Sequence, residues 1–199
     1  MELALVVSGA SGARLAIRFA RRALRCREVR RLHVVVTAPA AAVLRREVGP
    51  RWAGAAAIRE GLGEPERTAA WDDGDLEAPI ASGSYRLGGV VVLPCSSGMA
   101  GALAHGISRG LGQRVADVAL KQRWPLILGV RETPMSAILL ENLLRLARAG
   151  AFVVPPVPAY YVGRGDAGDL ERFEDHYCLR VLDLLGLEVP DGEALRWGP

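Results

Sequence analysis

Lysine is almost missing from this chain: Lys121 is the only one, and arginine fills the rest of its 25 basic positions. Cysteine and histidine occur three times each. An odd cysteine count without paired spacing argues against a disulfide framework and fits reduced thiols in a cytoplasm. Cys26, Cys95 and Cys178, with His33, His105 and His176, are too scattered in sequence for zinc ligation, so no metal is expected. No apolar run approaches the ~20 residues of a membrane span. The amino terminus enters strand-like sequence without a charged leader, so no secretory signal and no membrane association are expected. The net charge of +3 is too small to imply nucleic acid by itself. Arg14, Arg18, Arg21, Arg22 and Arg25 share one helical face opposite Ala16, Ile17, Ala20, Ala23 and Leu24, and the preferred reading is a solvated face with carboxylate partners.

What is present is a chain of 199 residues, 50% hydrophobic, long enough to bury a proper core as one domain over residues 1–199. Short β-branched runs alternate with segments of helical period, the pattern of an α/β sandwich with helices on both faces of a parallel sheet. Strands are expected near 2–8, 32–37, 89–94, 125–130 and 151–154. Helices are expected near 12–26, 38–47, 98–108, 112–122, 136–149 and 168–186, with a further one at about 53–61. Residues 49–88 are interrupted by Gly, Pro, Asp and Glu, and "WDDGD" at 71–75 reads as a solvated turn. After Leu187 the Pro- and Gly-punctuated tail is expected to wrap a surface.

In an open parallel sheet the ligand crevice lies at the carboxyl ends of the strands, which makes four loops informative. "SGASGA", Ser8 to Ala13, offers glycines, the Ser11 hydroxyl and a helix N-terminus, together an anion cradle. "LPCSSGMAG", Leu93 to Gly101, places Ser96 and Ser97 either as ligand contacts or as a helix cap. Cys95 has no accompanying base motif and reads as a small buried residue. "GVRETPMS", Gly129 to Ser136, puts Arg131 and Glu132 directly after an apolar strand, where a charged pair is costly unless paired or used. "PPVPAYY", Pro155 to Tyr161, is a stiffened segment presenting two phenols.

These stretches, with "ASGSY", "GLGQRVADVALKQRWPLIL" and "RVLDLLGL", occur in the order and at nearly the spacing of the flavin prenyltransferases, the UbiX family, which the chain resembles over nearly its whole length. The resemblance implies a flavodoxin-like or Rossmann-like, three-layer αβα flavoprotein, commonly a dodecamer with its site between subunits. The implied reaction joins a dimethylallyl group from dimethylallyl phosphate to N5 and C6 of reduced FMN, giving prenylated FMN and phosphate without metal. The product would serve a UbiD-type decarboxylase in ubiquinone biosynthesis or aromatic acid decarboxylation. By motif, Gly9, Ala10, Ser11, Thr37, Ser96, Ser97, Gly98, Met99 and Arg114 resemble the FMN contacts. Glu47, Lys121, Arg131, Glu132, Tyr161 and Arg180 resemble the groups around the prenyl phosphate, with Ser11 and Glu132 moving protons and Trp197 a further aromatic wall.

Cleaving an allylic C–O bond requires cations beside the departing phosphate, and the resemblance assigns them to Lys121, Arg131 and Arg180. A compact ammonium tracks one oxygen where an arginine fork grips two, which gives a reason for the single lysine; survival by drift on a helix surface is the alternative. Two rival functions are an FMN-dependent decarboxylase of cysteine-containing substrates, whose P-A-S-A-N-T segment is absent, and a non-catalytic FMN carrier.

Overall fold

The apolar runs become parallel strands: β1 (Glu2–Val7), β2 (Arg31–Val36), β3 (Thr68–Asp72), β4 (Gly89–Cys95), β5 (Leu126–Val130) and β6 (Phe152–Val153). The coordinates are a computed structural model that describes residues 1–52, 54–163, 165, 168–190, 192 and 196. The sheet order is β3-β2-β1-β4-β5-β6, the doubly wound order of Rossmann-like folds, with the reversal between β1 and β4.

Both faces of the sheet are covered, so its central strands carry near-continuous apolar runs, such as Leu3–Val7 of β1 and Val34–Val36 of β2, instead of alternating. Leu3, Leu5 and Val7 of β1 face α1 (Ala13–Arg25), α2 (Ala38–Glu47), α3 (Ala55–Gly61) and α7 (Asp169–Leu184). Ala4 and Val6 face α4 (Ser97–Ala104), α5 (Leu111–Gln122) and α6 (Ala137–Arg148). The three-layer α/β expectation is thereby met.

Two departures are physical. Strand β3 was not expected; it sits at the sheet edge, is short, and carries Ala69 and Ala70, so neither periodicity nor β-propensity announces it. The helix expected over 98–108 stops at Ala104, because Gly106 takes φ +65° and turns the chain out of the helix. Elsewhere, "WDDGD" does more than turn. The Asp73 carboxylate accepts from the Gly112 N–H at 2.8 Å, tying the start of α5 to the end of β3. Gly110 is required there, since a Cβ would lie 2.2 Å from that carboxylate.

The arginine face of α1 has carboxylate partners, as its composition suggests. Arg14 reaches Glu174 at 3.0 Å, Arg18 reaches Glu171, Glu174 and Asp175, and Arg22 reaches Asp175 at 2.8 Å. Burial pushes the Asp175 carboxyl upward, but Arg22 and Arg18 outweigh it and hold it below the usual carboxylate range. The basic stripe thus docks α7 onto α1.

Candidate active site

The sheet's reversal brings the loops after β1 and β4 side by side, and a serine outside the expected set joins them. Ser8, 2% exposed, donates its hydroxyl to the Pro94 carbonyl at 2.7 Å and accepts from the Ser96 N–H at 2.8 Å. Its signal in the sequence was its place directly after an apolar strand. The Leu93–Pro94 and Thr133–Pro134 peptides are cis, one at the end of β4 and one just past β5. Gly9 packs against Pro39, where a Cβ would come within 2.4 Å, and Gly12 takes φ +110° to start α1. Thr37 caps α2 by accepting from the Ala40 N–H at 3.3 Å, and its own N–H bonds the Val7 carbonyl. Gly9, Ala10, Ser11 and Thr37 therefore sit together at the carboxyl ends of β1 and β2.

The anion cradle at the start of α1 is filled from within. Glu47, at the end of α2, accepts from the Gly12 N–H at 2.9 Å and the Ala13 N–H at 2.8 Å. Partial burial pushes its carboxyl up, yet the Ser11 hydroxyl, those two N–H groups and the Arg131 charge outweigh it and hold it below the ordinary carboxylate range. One ionised carboxylate thus links Ser11, the positive end of α1 and Arg131.

Arg131 follows β5, and its N–H bonds the Cys95 carbonyl at 3.1 Å. Its Nε is buried without a hydrogen-bond partner among the described residues. A buried guanidinium N–H in that condition costs stability unless a ligand supplies the acceptor. The next residue, Glu132, uses Oε1 to accept from the Thr133 N–H at 3.2 Å. Across the crevice Ser96 caps α4, accepting from the Met99 N–H at 3.2 Å. As an acceptor in that bond, the Ser96 hydroxyl still has its proton to give. Ser97 and Gly98 form the first turn of α4, whose leading N–H groups have no partner within the helix, and a Cβ at Gly98 would meet nothing within 4 Å. Cys95 is fully buried, which pushes its thiol up to about 12 and makes it a poor nucleophile at neutral pH.

The remaining candidates lie elsewhere in the chain. Tyr161, 48% exposed, pairs through its hydroxyl with His176 Nε2 at 2.7 Å. Arg180 lies one turn further along α7 and bonds Asp183 at 3.2 Å. Arg114 on α5 donates to the Ala81 carbonyl at 3.0 Å and pairs with Asp117 at 3.4 Å. Lys121 is exposed on the last turn of α5. That helix starts beside Asp73 at the carboxyl edge of the sheet and runs back, so at 1.5 Å per residue Lys121 sits about 15 Å from its start, toward the amino ends of the strands. Its stem passes Gly83, where a Cβ would lie 3.4 Å from Cε. One chain thus brings Ser11, Glu47, Arg131 and Glu132 to one crevice and leaves Lys121 away from it. Trp197 lies outside the described residues.

Comparison with known proteins decides the family. A family model described as Flavoprotein matches residues 1–175. The flavin prenyltransferase UbiX of Deinococcus radiodurans is 40% identical over 189 residues, covering 95% of this chain and 90% of that protein. The chain belongs to the UbiX family. A UbiX-family structure described as a dodecameric, FMN-dependent UbiX-like decarboxylase from Escherichia coli O157:H7 superposes with a TM-score of 0.86, 34% identity and full coverage of both chains. A second UbiX-family structure, AnUbiX in complex with FMN and dimethylallyl pyrophosphate, gives 0.84 at 35% identity, covering 100% of this chain and 97% of that one.

Proposed function

We propose that the protein is a flavin prenyltransferase, which moves a dimethylallyl group from dimethylallyl phosphate to N5 and C6 of reduced FMN and releases phosphate. The observation that carries this reading is the buried Nε of Arg131, without a hydrogen-bond partner among the described residues and beside Glu47 and Ser11, in a chain 40% identical to a flavin prenyltransferase. The crevice suits a flavin: a helix start with open space at Gly98 faces a glycine loop held against Pro39. Reduced FMN, when bound, supplies the electron-rich ring that receives the prenyl group.

The chain's own residues have separable tasks in this reading. Gly9, Ala10, Ser11, Thr37, Ser96, Ser97, Gly98, Met99 and Arg114 hold the flavin. Arg131 and Arg180 grip phosphate oxygens in pairs, and Tyr161 adds a phenol. Lys121, supplied by a second copy, meets the oxygen on which charge grows as the C–O bond opens. Glu47, kept ionised, holds Arg131 and Ser11 in place. Glu132 has Oε1 occupied by the Thr133 N–H, which leaves Oε2 to take the proton lost from the flavin edge.

The wider setting belongs to the same reading: a single domain in the cytoplasm, self-associated as a dodecamer, making prenylated FMN for a UbiD-type decarboxylase in ubiquinone biosynthesis or aromatic acid decarboxylation. The dodecameric relative supports the assembly, and no helix among the described residues is long and apolar enough to cross a membrane.

The test is to incubate the protein with FMN, dithionite and dimethylallyl phosphate and to weigh the flavin. A five-carbon adduct is expected, with loss of product in Arg131→Ala; an unmodified flavin overturns the reading.

A further inference from the structure

Among titratable groups outside the crevice just described, one pair joins a hidden base to an accessible acid. His176 on α7 is 8% exposed, while its partner Tyr161, on the one-turn helix Tyr160–Val162, is 48% exposed. Their rings meet edge to face at 5.4 Å, and the phenol oxygen lies 2.7 Å from Nε2. The imidazole is too enclosed to meet a ligand directly, so whatever it does to one passes through the phenol.

The bond can run in two directions. A neutral Nε2 accepts the phenol proton; an imidazolium donates to the phenol oxygen and leaves the phenol proton for another acceptor. The charged groups that act on His176 are Arg180 and Asp183 of its own helix. Asp183 is shared with Arg180 at 3.2 Å and with Arg196 at 2.7 Å. Arg172, one turn before His176, has Nε committed to the Val162 carbonyl at 2.7 Å, and Asp175 faces Arg18 and Arg22 of α1. Burial first, and then Arg180, push the His176 imidazole below its ordinary range, with Asp183 opposing them, so the unliganded pair favours the neutral imidazole near pH 7. A doubly charged phosphate placed against Tyr161 and Arg180 reverses that balance by favouring the cation.

We propose that His176 acts through Tyr161 as a proton-coupled positioning residue: on binding of a phosphate monoester it takes up one proton, and the Tyr161 hydroxyl turns to donate to a phosphate oxygen. The proposal rests on the reading that Tyr161 meets the donor phosphate. When the C–O bond breaks, its electron pair stays on the phosphate oxygen. The phenol proton passes to the phosphate and the Nε2 proton passes to the phenol oxygen. Hydrogen phosphate leaves, and His176 returns to neutrality.

Calorimetric titration of the protein loaded with oxidised FMN, which cannot turn over, reads this directly. Dimethylallyl phosphate is added at pH 8 in buffers of different ionisation enthalpy, a pH at which a free phosphate monoester is already a dianion. The native protein is expected to take up about one proton per bound donor, and His176→Gln, which keeps a hydrogen bond to the phenol, to take up almost none. Tyr161→Phe is expected to remove the uptake and weaken the donor by about tenfold. In turnover with reduced FMN, the alkaline decline of kcat/KM carried by His176 in the native enzyme is absent from His176→Gln. His176→Asn serves the same purpose if the glutamine variant does not fold. Unchanged proton uptake in the His176 variant overturns the proposal alone. Undiminished donor affinity in Tyr161→Phe overturns the reading of Tyr161 and the proposal with it.

Discussion

At the scale of single residues, Glu47 and Arg131 show why the crevice is built as it is. The positive end of α1 would attract any anion, and the chain fills it with its own carboxylate. Under the proposed function, a bound phosphate would thereby be directed to Arg131, whose buried Nε lacks a hydrogen-bond partner among the described residues. Glu47→Gln keeps the shape but removes the charge, and after solvent screening of this exposed group is expected to cost about 0.5 kcal/mol, or roughly 1–2 °C in Tm, at pH 7. Because the native carboxyl lies below its ordinary value, its contribution is present above the unfolded pKa of 4.5 and is lost as pH falls through the folded value. Melting curves of the two proteins should therefore converge in acid, and a gap that persists there contradicts the assignment. Arg131 was legible in the sequence because a charge directly after an apolar strand needs a reason. His176 was not, because nothing in sequence links it to a tyrosine 15 positions earlier.

At the scale of elements, the β3 side of the sheet is held by a half-buried polar network. Trp71 of β3 donates to His33 Nδ1 at 3.2 Å, which makes Nε2 the protonated nitrogen of a neutral imidazole and directs it to Glu2 of β1 at 3.0 Å. Tyr85 donates to the same Glu2 carboxylate, and Arg30 bonds its other oxygen at 2.6 Å. Burial pushes Glu2 up, but His33, Tyr85 and Arg30 outweigh it and hold it at about 2. Burial pushes His33 below its ordinary range, against the pull of Glu2. A depressed histidine favours the folded state above the unfolded pKa of 6.5, and that advantage declines as pH falls below 6.5 toward the folded value. Urea midpoints are expected to fall between pH 7 and pH 5, and His33→Gln to flatten part of that slope; an equal slope in the variant contradicts the role given to His33. This network also explains how β3 forms where neither periodicity nor propensity marks a strand. Its indole and the register Val35 to Trp71 hold an alanine-rich edge strand that propensity alone would not. Strands β1, β2, β4 and β5 were readable because apolar runs buried on both faces need no alternation to be recognised.

At the scale of the whole molecule, the direction of α5 separates Lys121 from the crevice of its own chain. The helix leaves the carboxyl edge of the sheet at Asp73 and ends near the amino edge, a consequence of α/β winding that motif matching does not reveal. Exposed Ile138, Leu140 and Leu144 on α6, at 72%, 52% and 51%, form an apolar surface that would suit the proposed self-association. The central claim is that the cations around the phosphate come from two copies, with Lys121 of one meeting Arg131 of another. Lys121→Ala and Arg131→Ala are each expected to lose turnover. When the two inactive proteins are dissociated, mixed in equal amounts and reassembled, random pairing leaves about a quarter of the sites with both native residues. Recovery of about a quarter of native turnover is the result predicted; a mixture as inactive as its components contradicts the claim.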